Sequence, residues 1–418
     1  MKRKMKFQPG HTATLACMCF FLHACITAYA EHKSVEVDGV VYSYVIDGCE
    51  ANGNKRVILG RYGKCAVEIP DDRTRLEIPK VIMGERIERI DDTACRHLVD
   101  VEEIVLPDGI TEIGPDAFSE CWSLKKINIP ASVHTIGSRA FEDCEKLKAI
   151  ILPEDVTIVG NEVFKGCKSL ESFEFPKGVC TWKSCPVNLA REEIRRRQNH
   201  SAHSTGQRGR DAGCRGNDTT VHSRQDGLGD EFFAGCSSLT KIALPSSFNR
   251  IGYQAFYGCV NLTAIDLPPN LTKIGIGAFR GCKSLESIDL PESVVEIGYN
   301  AFNGCCRLKT IELPYRITEI DAGTFGNCTN LKAISIPENV KAIGMYAFQD
   351  CTSLQKVSFS SDIQHIRILD AAFTGCTNLK EIALPHCIAD SVLNSKIDNK
   401  YDSKKLRELP GLKITYLD

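Results

Sequence analysis

Residues 243–291 read ALPSSFNRIGYQAFYGCVNLTAIDLPPNLTKIGIGAFRGCKSLESIDLP, and the second half of the stretch restates the first. The offset is 23 residues, as between Phe256 and Phe279. The shared pattern, I-G-x-x-A-F-x-x-C-x-x-L-x-x-I-x-L-P, places its aromatic at Phe118, Phe141, Phe164, Phe233, Phe256, Phe279, Phe302, Phe325, Phe348 and Phe373. A fixed period of this size is the mark of a solenoid, in which each repeat forms one coil that cannot bury its apolar side alone. Neighbouring coils complete that burial, so three or more are needed for stability.

Within one period Leu262, Ile265 and Leu267 alternate as the inward side of a short strand. Pro268 ends it, because proline cannot donate to a ladder. Leu271 and Ile274 make a second inward-facing extended piece, and Gly275 turns the chain. Ala278, Phe279 and Cys282 then suit a helical turn that plugs the coil interior with its ring. Upstream, Ile90, Ala94, Cys95, Val101, Ile104, Leu106 and Pro107 fit the same template with Cys95 in the Phe slot, a worn first repeat. The last step, from Phe348 to Phe373, is 25 residues, which places a two-residue insertion within Ile363–Asp370.

The step from Phe164 to Phe233 is 69 residues, three periods, yet the text between is not repeat-like. Residues 180–227 hold eight Arg, one Ile and neither Phe nor Tyr. Two explanations fit: a stretch read out of frame by two compensating shifts, or a polar insert of a composition that does not fold alone. The coincidence of length favours the first. With two coils missing, the expected solenoid splits near this segment into two stacks, each with an open edge.

The repeat resembles the BspA-type leucine-rich repeat family, found in surface proteins of bacteria and some parasitic protists. The resemblance covers about residues 85–386 apart from the interrupted segment. It implies a right-handed solenoid of short β-strands and helical turns, and adhesion or protein recognition at the cell surface without catalysis. The lead-in Val37–Pro70 is similar to the strand-rich start of such proteins and is expected to cap the first coil. The expected organisation is a signal peptide over residues 1–30, a strand-rich cap over 31–84, repeats over 85–179, the non-repeat segment 180–227, repeats over 228–386 and a C-terminal cap over 387–418.

The N-terminus supports export. Its basic head, the apolar run Leu15–Ile26 and the small residues of Ala28-Tyr29-Ala30 read as a secretory signal cleaved before Glu31. That run is too short to span a membrane as a helix. Leu22-His23-Ala24-Cys25 loosely resembles a lipid-attachment box, so membrane contact is expected only if Cys25 is lipidated. The chain has 418 residues and a net charge of −2. The first 30 residues carry four bases and no acid, and residues 180–227 carry nine bases against five acids, so the remaining body carries −10. Such a body is not a nucleic-acid binder.

Twenty-one cysteines in an exported chain raise the question of disulfides. Ten of them, including Cys121, Cys259 and Cys376, fall three residues after the repeat Phe. They therefore stack with parallel side chains at about 4.8 Å, a poor geometry for bridging. A dry column of small buried thiols is the expected outcome.

Chemistry that would overturn a binding role is weak. Gly275-Ile276-Gly277 opens a phosphate-loop pattern but lacks its third glycine. Cys180, Cys185, His200 and His203 have metal-like spacing but lie in the interrupted text, as does the basic run Arg195–Arg197. No nucleophile triad, cofactor motif or convergent acid and base set is visible, so no enzyme and no cofactor are expected. The leading function is a secreted, periplasmic or surface-displayed module that binds a protein partner, such as a host matrix or envelope protein. A structural envelope protein without a specific ligand, or a degenerate non-functional copy, is the alternative. Two columns are candidate contacts. Asp266, Asp289 and Glu312 occupy the outward strand position of successive coils, with Lys309 and Lys332 in the flanking column. Tyr253, Ile276, Tyr299 and Met345 follow the repeat Gly and form a broken apolar stripe.

Overall fold

The structure is a computed structural model that describes residues 33–47, 56–60, 65–70, 72–177, 179–181, 227–394, 396–399, 402–406 and 411–417. The expected signal segment, Cys25, Cys185, His200, His203 and Arg195–Arg197 lie outside the described residues.

Each coil has three sides, and like sides stack. The first side is the L-x-x-I-x-L segment, where Lys241–Ala243 pairs in parallel with Ala264–Asp266 in register one period on. Toward the C-terminus Ala333–Ile336, Lys356–Phe359, Glu381–Pro385 and Lys413–Leu417 continue that ladder. The second side is a ladder of two-residue strands such as Arg250–Ile251, Lys273–Ile274 and Glu296–Ile297. Alternation decides both: in Ala264–Asp266 only Ile265 faces in, and in Lys273–Ile274 only Ile274 does.

The third side carries A-F-x-x-C, and it is a run of tight turns rather than a helical turn. Gln254, Phe256 and Gly258 donate their N–H groups to Ile276, Ala278 and Arg280 of the next coil. Between them Tyr257 and Cys259 bond back three residues, to Gln254 and Phe256. A helix satisfies its groups internally and could not bond sideways to a neighbour. The alternation requires positive φ two residues before and two after each Phe, as at Gly277 (61°) and Gly281 (77°). The repeat Gly has another reason: a Cβ at Gly275 would sit 2.6 Å from the carbonyl oxygen of Gly252.

The interior is a column of rings. From Phe118 to Phe373 successive repeat Phe rings stack 5.2–5.9 Å apart and within 15° of parallel. Burying each such side chain contributes roughly 1.5–3 kcal/mol. Beside the rings run the ten cysteines, buried and free. They are not a purely apolar column. The thiol of Cys282 donates to the carbonyl of Phe256 at 3.2 Å, and Cys305 repeats the bond to Phe279 at 3.3 Å. Cys121 donates to Cys95, the residue in the worn Phe slot.

The expected split at the interruption does not occur. Glu162 and Phe164 donate their N–H groups to Asp230 and Phe232, and the Phe164 and Phe233 rings stack at 5.9 Å. The thiol of Cys236 donates to Phe164 at 3.1 Å, the same bond made at every other coil boundary cited above. On one flank of the interruption Cys180–Thr181 pairs with Ile158–Val159, and on the other Gly227–Leu228 pairs with Arg250–Ile251. Phe164 and Phe233 are therefore one rung apart, so 46 of the 69 intervening residues, two whole periods, are surplus to the coil. The physical reason is that these two flanking strands are neighbours on the second side, so one coil closes without the missing text.

Lys33–Val37 and Val40–Asp47 form an antiparallel hairpin through Asp38-Gly39, both at positive φ, the signature of a two-residue hairpin turn. Val40–Asp47 pairs with Arg56–Leu59, which pairs in parallel with Glu85–Ile90 and so carries the hairpin onto the second-side ladder. The first-side ladder starts earlier than the repeat text, at Arg75–Glu77. At the far end Lys413–Leu417 adds a rung after the short helix Ala389–Leu393.

Candidate functional site

The turn side presents two chemistries in succession. Over the N-terminal coils it is a lattice of ion pairs. Arg139 contacts Asp116 at 2.8 Å and Glu142 at 3.7 Å, and Lys165 contacts Glu142, Glu162 and Glu231 at 2.9–3.4 Å. Burial raises the Glu142 carboxyl above its ordinary range, with Lys165 opposing the shift. These charges consume one another and leave the face closed.

From Tyr253 onward the same columns change. Tyr253 is 43% exposed, Ile276 45%, Tyr299 50% and Met345 42%. Ala322 fills the rung between Tyr299 and Met345, so the break in the stripe is a small apolar residue rather than a polar one. Stacking along the ladder does not cover these side chains, because each keeps close to half its surface open. Tyr257 and Tyr346 add exposed rings beside the stripe, and the Arg280 guanidinium lies 5.9 Å from the Tyr257 ring centre. Neither tyrosine follows from the repeat consensus. The readable signal was the column itself: Tyr346 holds a positive-φ position and Tyr257 follows the repeat Phe.

The acidic column is also in place. Asp266, Asp289 and Glu312 are exposed, and none has an ion-pair partner among the described residues. Lys309 does not neutralise them; it binds Glu286 at 2.6 Å within its own column. The two candidate columns lie on different sides of the coil, so they are separate surfaces. Asp321, which replaces the repeat Gly next to the stripe, has its carboxyl raised by burial and by Glu319 and Glu296. Among the described residues no three His, Cys, Asp or Glu side chains are grouped to hold a metal ion, and no helix is long and apolar enough to cross a membrane.

A repeat of this length, stacked in this way, is met by a family model described as BspA type Leucine rich repeat region. It matches in six copies over residues 74–185, 212–321 and 295–394. The chain belongs to the BspA-type leucine-rich repeat family. Among solved structures it is similar to a leucine-rich cell surface protein from Faecalibacterium prausnitzii, at 24% identity over 85% of this chain and 95% of that one, with a TM-score of 0.48. It is also similar to a leucine-rich repeat protein from Bacteroides ovatus, at 22% identity over 92% of this chain and all of that one, with a TM-score of 0.47. The pneumococcal vaccine antigen PcpA shares 16% identity over 92% of this chain and 99% of its own, with a TM-score of 0.51, a likeness of fold. No curated protein matches this BspA-type chain.

Proposed function

We propose that this chain is an exported, surface-displayed recognition module without catalytic activity, and that it binds a protein partner through the C-terminal turn side. The observation that carries this is the column Tyr253, Ile276, Tyr299 and Met345, four large apolar side chains left about half exposed on an otherwise well-packed coil. Tyrosine is enriched where interfaces concentrate their energy, and a continuous apolar strip on a soluble fold marks an interaction surface. Export agrees with the N-terminal signal text and with the surface location stated for the Faecalibacterium protein. The acidic column is the second contact in this reading, supported by three carboxylates that the fold leaves unpaired.

The test uses a panel of immobilised matrix and envelope proteins against the full chain. For a protein that binds, Tyr253→Ala with Tyr299→Ala weakens binding more than tenfold, with little dependence on salt. Asp266→Ala with Asp289→Ala weakens a basic partner at low salt and has less effect at high salt, since screening shrinks exposed charge interactions. Binding that survives both double substitutions would place the contact elsewhere and overturn the reading.

A further inference from the structure

We infer that the interruption creates a second binding site, a slot on the first side of the coil that accepts an extended peptide strand of a partner protein. This site is independent of the turn-side stripe and stands or falls by itself. The coils on either side of the interruption touch along the turn side and at Lys168, whose carbonyl accepts from the Ser238 N–H, and no strand pairing joins them beyond it along the first side. There a cleft of about 900 Å³ opens between residues 172–177 and 241–247. That volume falls within the range of about 300–1,000 Å³ typical of ligand sites.

The side chains at this boundary differ from those of the other coils. Four rings meet at this boundary: Phe173 stands where other coils carry Ile or Val, Phe175 where most carry Leu or Ile, Phe232 where most carry Ala, and Phe248 where they carry Val, Ile or Leu. Phe175 packs against Phe248 at 5.4 Å and against Phe232 at 5.9 Å. Phe173 and Phe175 line the cleft, and Phe232 and Phe248 back them from the interior.

What the cleft offers is main chain. Lys241–Ala243 pairs only with Ala264–Asp266, on the side away from the cleft. Alternation in a parallel ladder then aims the N–H and C=O groups of Lys241 and Ala243 at the open side. Across the cleft, the N–H groups of Phe173 and Phe175, which the same alternation aims at the open side, have no hydrogen-bond partner among the described residues. Two facing edges that run in the same direction fit one inserted strand, the mode in which main-chain bonds give affinity and side chains give choice.

Charge sets which strand. Lys241 has no ion-pair partner among the described residues, and two positions further along the strand lie Glu174 on one wall and Asp266 beyond Ala243 on the other, equally unpaired. The complementary strand therefore carries an acid level with Lys241 and a base two residues later, with apolar residues between them facing the interior.

The experiment uses two labelled peptides of the same composition, both copies of Leu262–Pro268. One carries A264E and D266K, the other A264K and D266E, and binding to the full chain is read by fluorescence anisotropy. The first peptide is expected to bind at least tenfold more tightly. Ala243→Pro removes an N–H that the fold does not use and should weaken binding more than tenfold with an unchanged melting temperature. Glu174→Lys, an exposed change that tests the site even if the proline variant fails to fold, should narrow the preference between the peptides. Equal binding of the two peptides, or a proline variant that folds and binds like the parent, overturns the proposal. So does binding that appears only after residues 182–227 are deleted, since the slot would then already be filled within the chain.

Discussion

Raising the pH from about 8 to about 10 in the presence of a reductant unfolds the protein. Burial holds the thiols of Cys95, Cys121, Cys144, Cys167, Cys236, Cys259, Cys282, Cys305 and Cys328 above the ordinary value of 9.0, and pushes Cys121 up to about 12. The unfolded chain ionises these groups near their ordinary value while the folded chain keeps its protons. The folded state therefore binds more protons than the unfolded state in this window, and stability falls as pH rises. The contribution is fully present below the ordinary thiol pKa and drains away above it. Each thiol loses on the order of 1 kcal/mol by about pH 10, so nine together lose on the order of 10 kcal/mol. A domain with about 5–15 kcal/mol to spare does not survive that. Circular dichroism against pH should show one transition, with the buried thiols becoming reactive to alkylation together. A melting temperature that stays flat through pH 10 would contradict a protonated, buried column.

Deleting residues 182–227 leaves the fold intact and makes it more stable. The deletion removes 46 residues, returns the Phe164 to Phe233 step to 23, and joins strands that are already neighbours. Closing a loop of this length costs about 3 kcal/mol more than a direct join, taking about 0.6 kcal/mol per doubling. The register matters as much as the length. Removing ten residues more would take residues that belong to the coil and force Phe164 or Phe233 out of the ring column, whereas removing ten fewer leaves a short loop between strands that are already neighbours. Losing one such buried ring costs about 3–5 kcal/mol. Thermal melts of the three variants should rank the in-register deletion at or above the parent, the shorter deletion between the two, and the longer deletion well below them. An in-register deletion that melts lower would mean that the removed text supports the coil.

The solenoid was legible because Phe, Cys, Leu, Ile and Pro recur at positions whose burial a periodic stack demands. Ile265 and Ile274 could be assigned inward from alternation alone, and the structure places them there. The turn side was less legible. Its conformation rests on the unspecified positions of the consensus, where Gln254, Asn300 and Tyr346 take positive φ as readily as Gly277 and Gly323 do in other coils. A consensus that leaves those positions blank hides the sideways bonding that replaces a helical turn. The continuity across the interruption was hidden too, since spacing counts residues and cannot tell two missing coils from two surplus periods. The candidate columns were visible as exposed residues of one kind, Tyr253 and Tyr299 or Asp266 and Asp289. The cleft was not visible, because its walls, residues 172–177 and 241–247, are far apart in the chain and meet only when the two coils stack.

The central claim is that the coil of Phe164 lies directly on the coil of Phe233. Lys165 spans that boundary, with its amine 2.9 Å from Glu231 and 3.4 Å from Glu142 on the other side. A zero-length carbodiimide cross-link, read by mass spectrometry of the folded protein, reports both contacts at once. The continuous stack predicts Lys165 joined to Glu231 as well as to Glu142. Cross-links from Lys165 to Glu142 and Glu162 alone, with none to Glu231, would show two separate stacks and contradict the account.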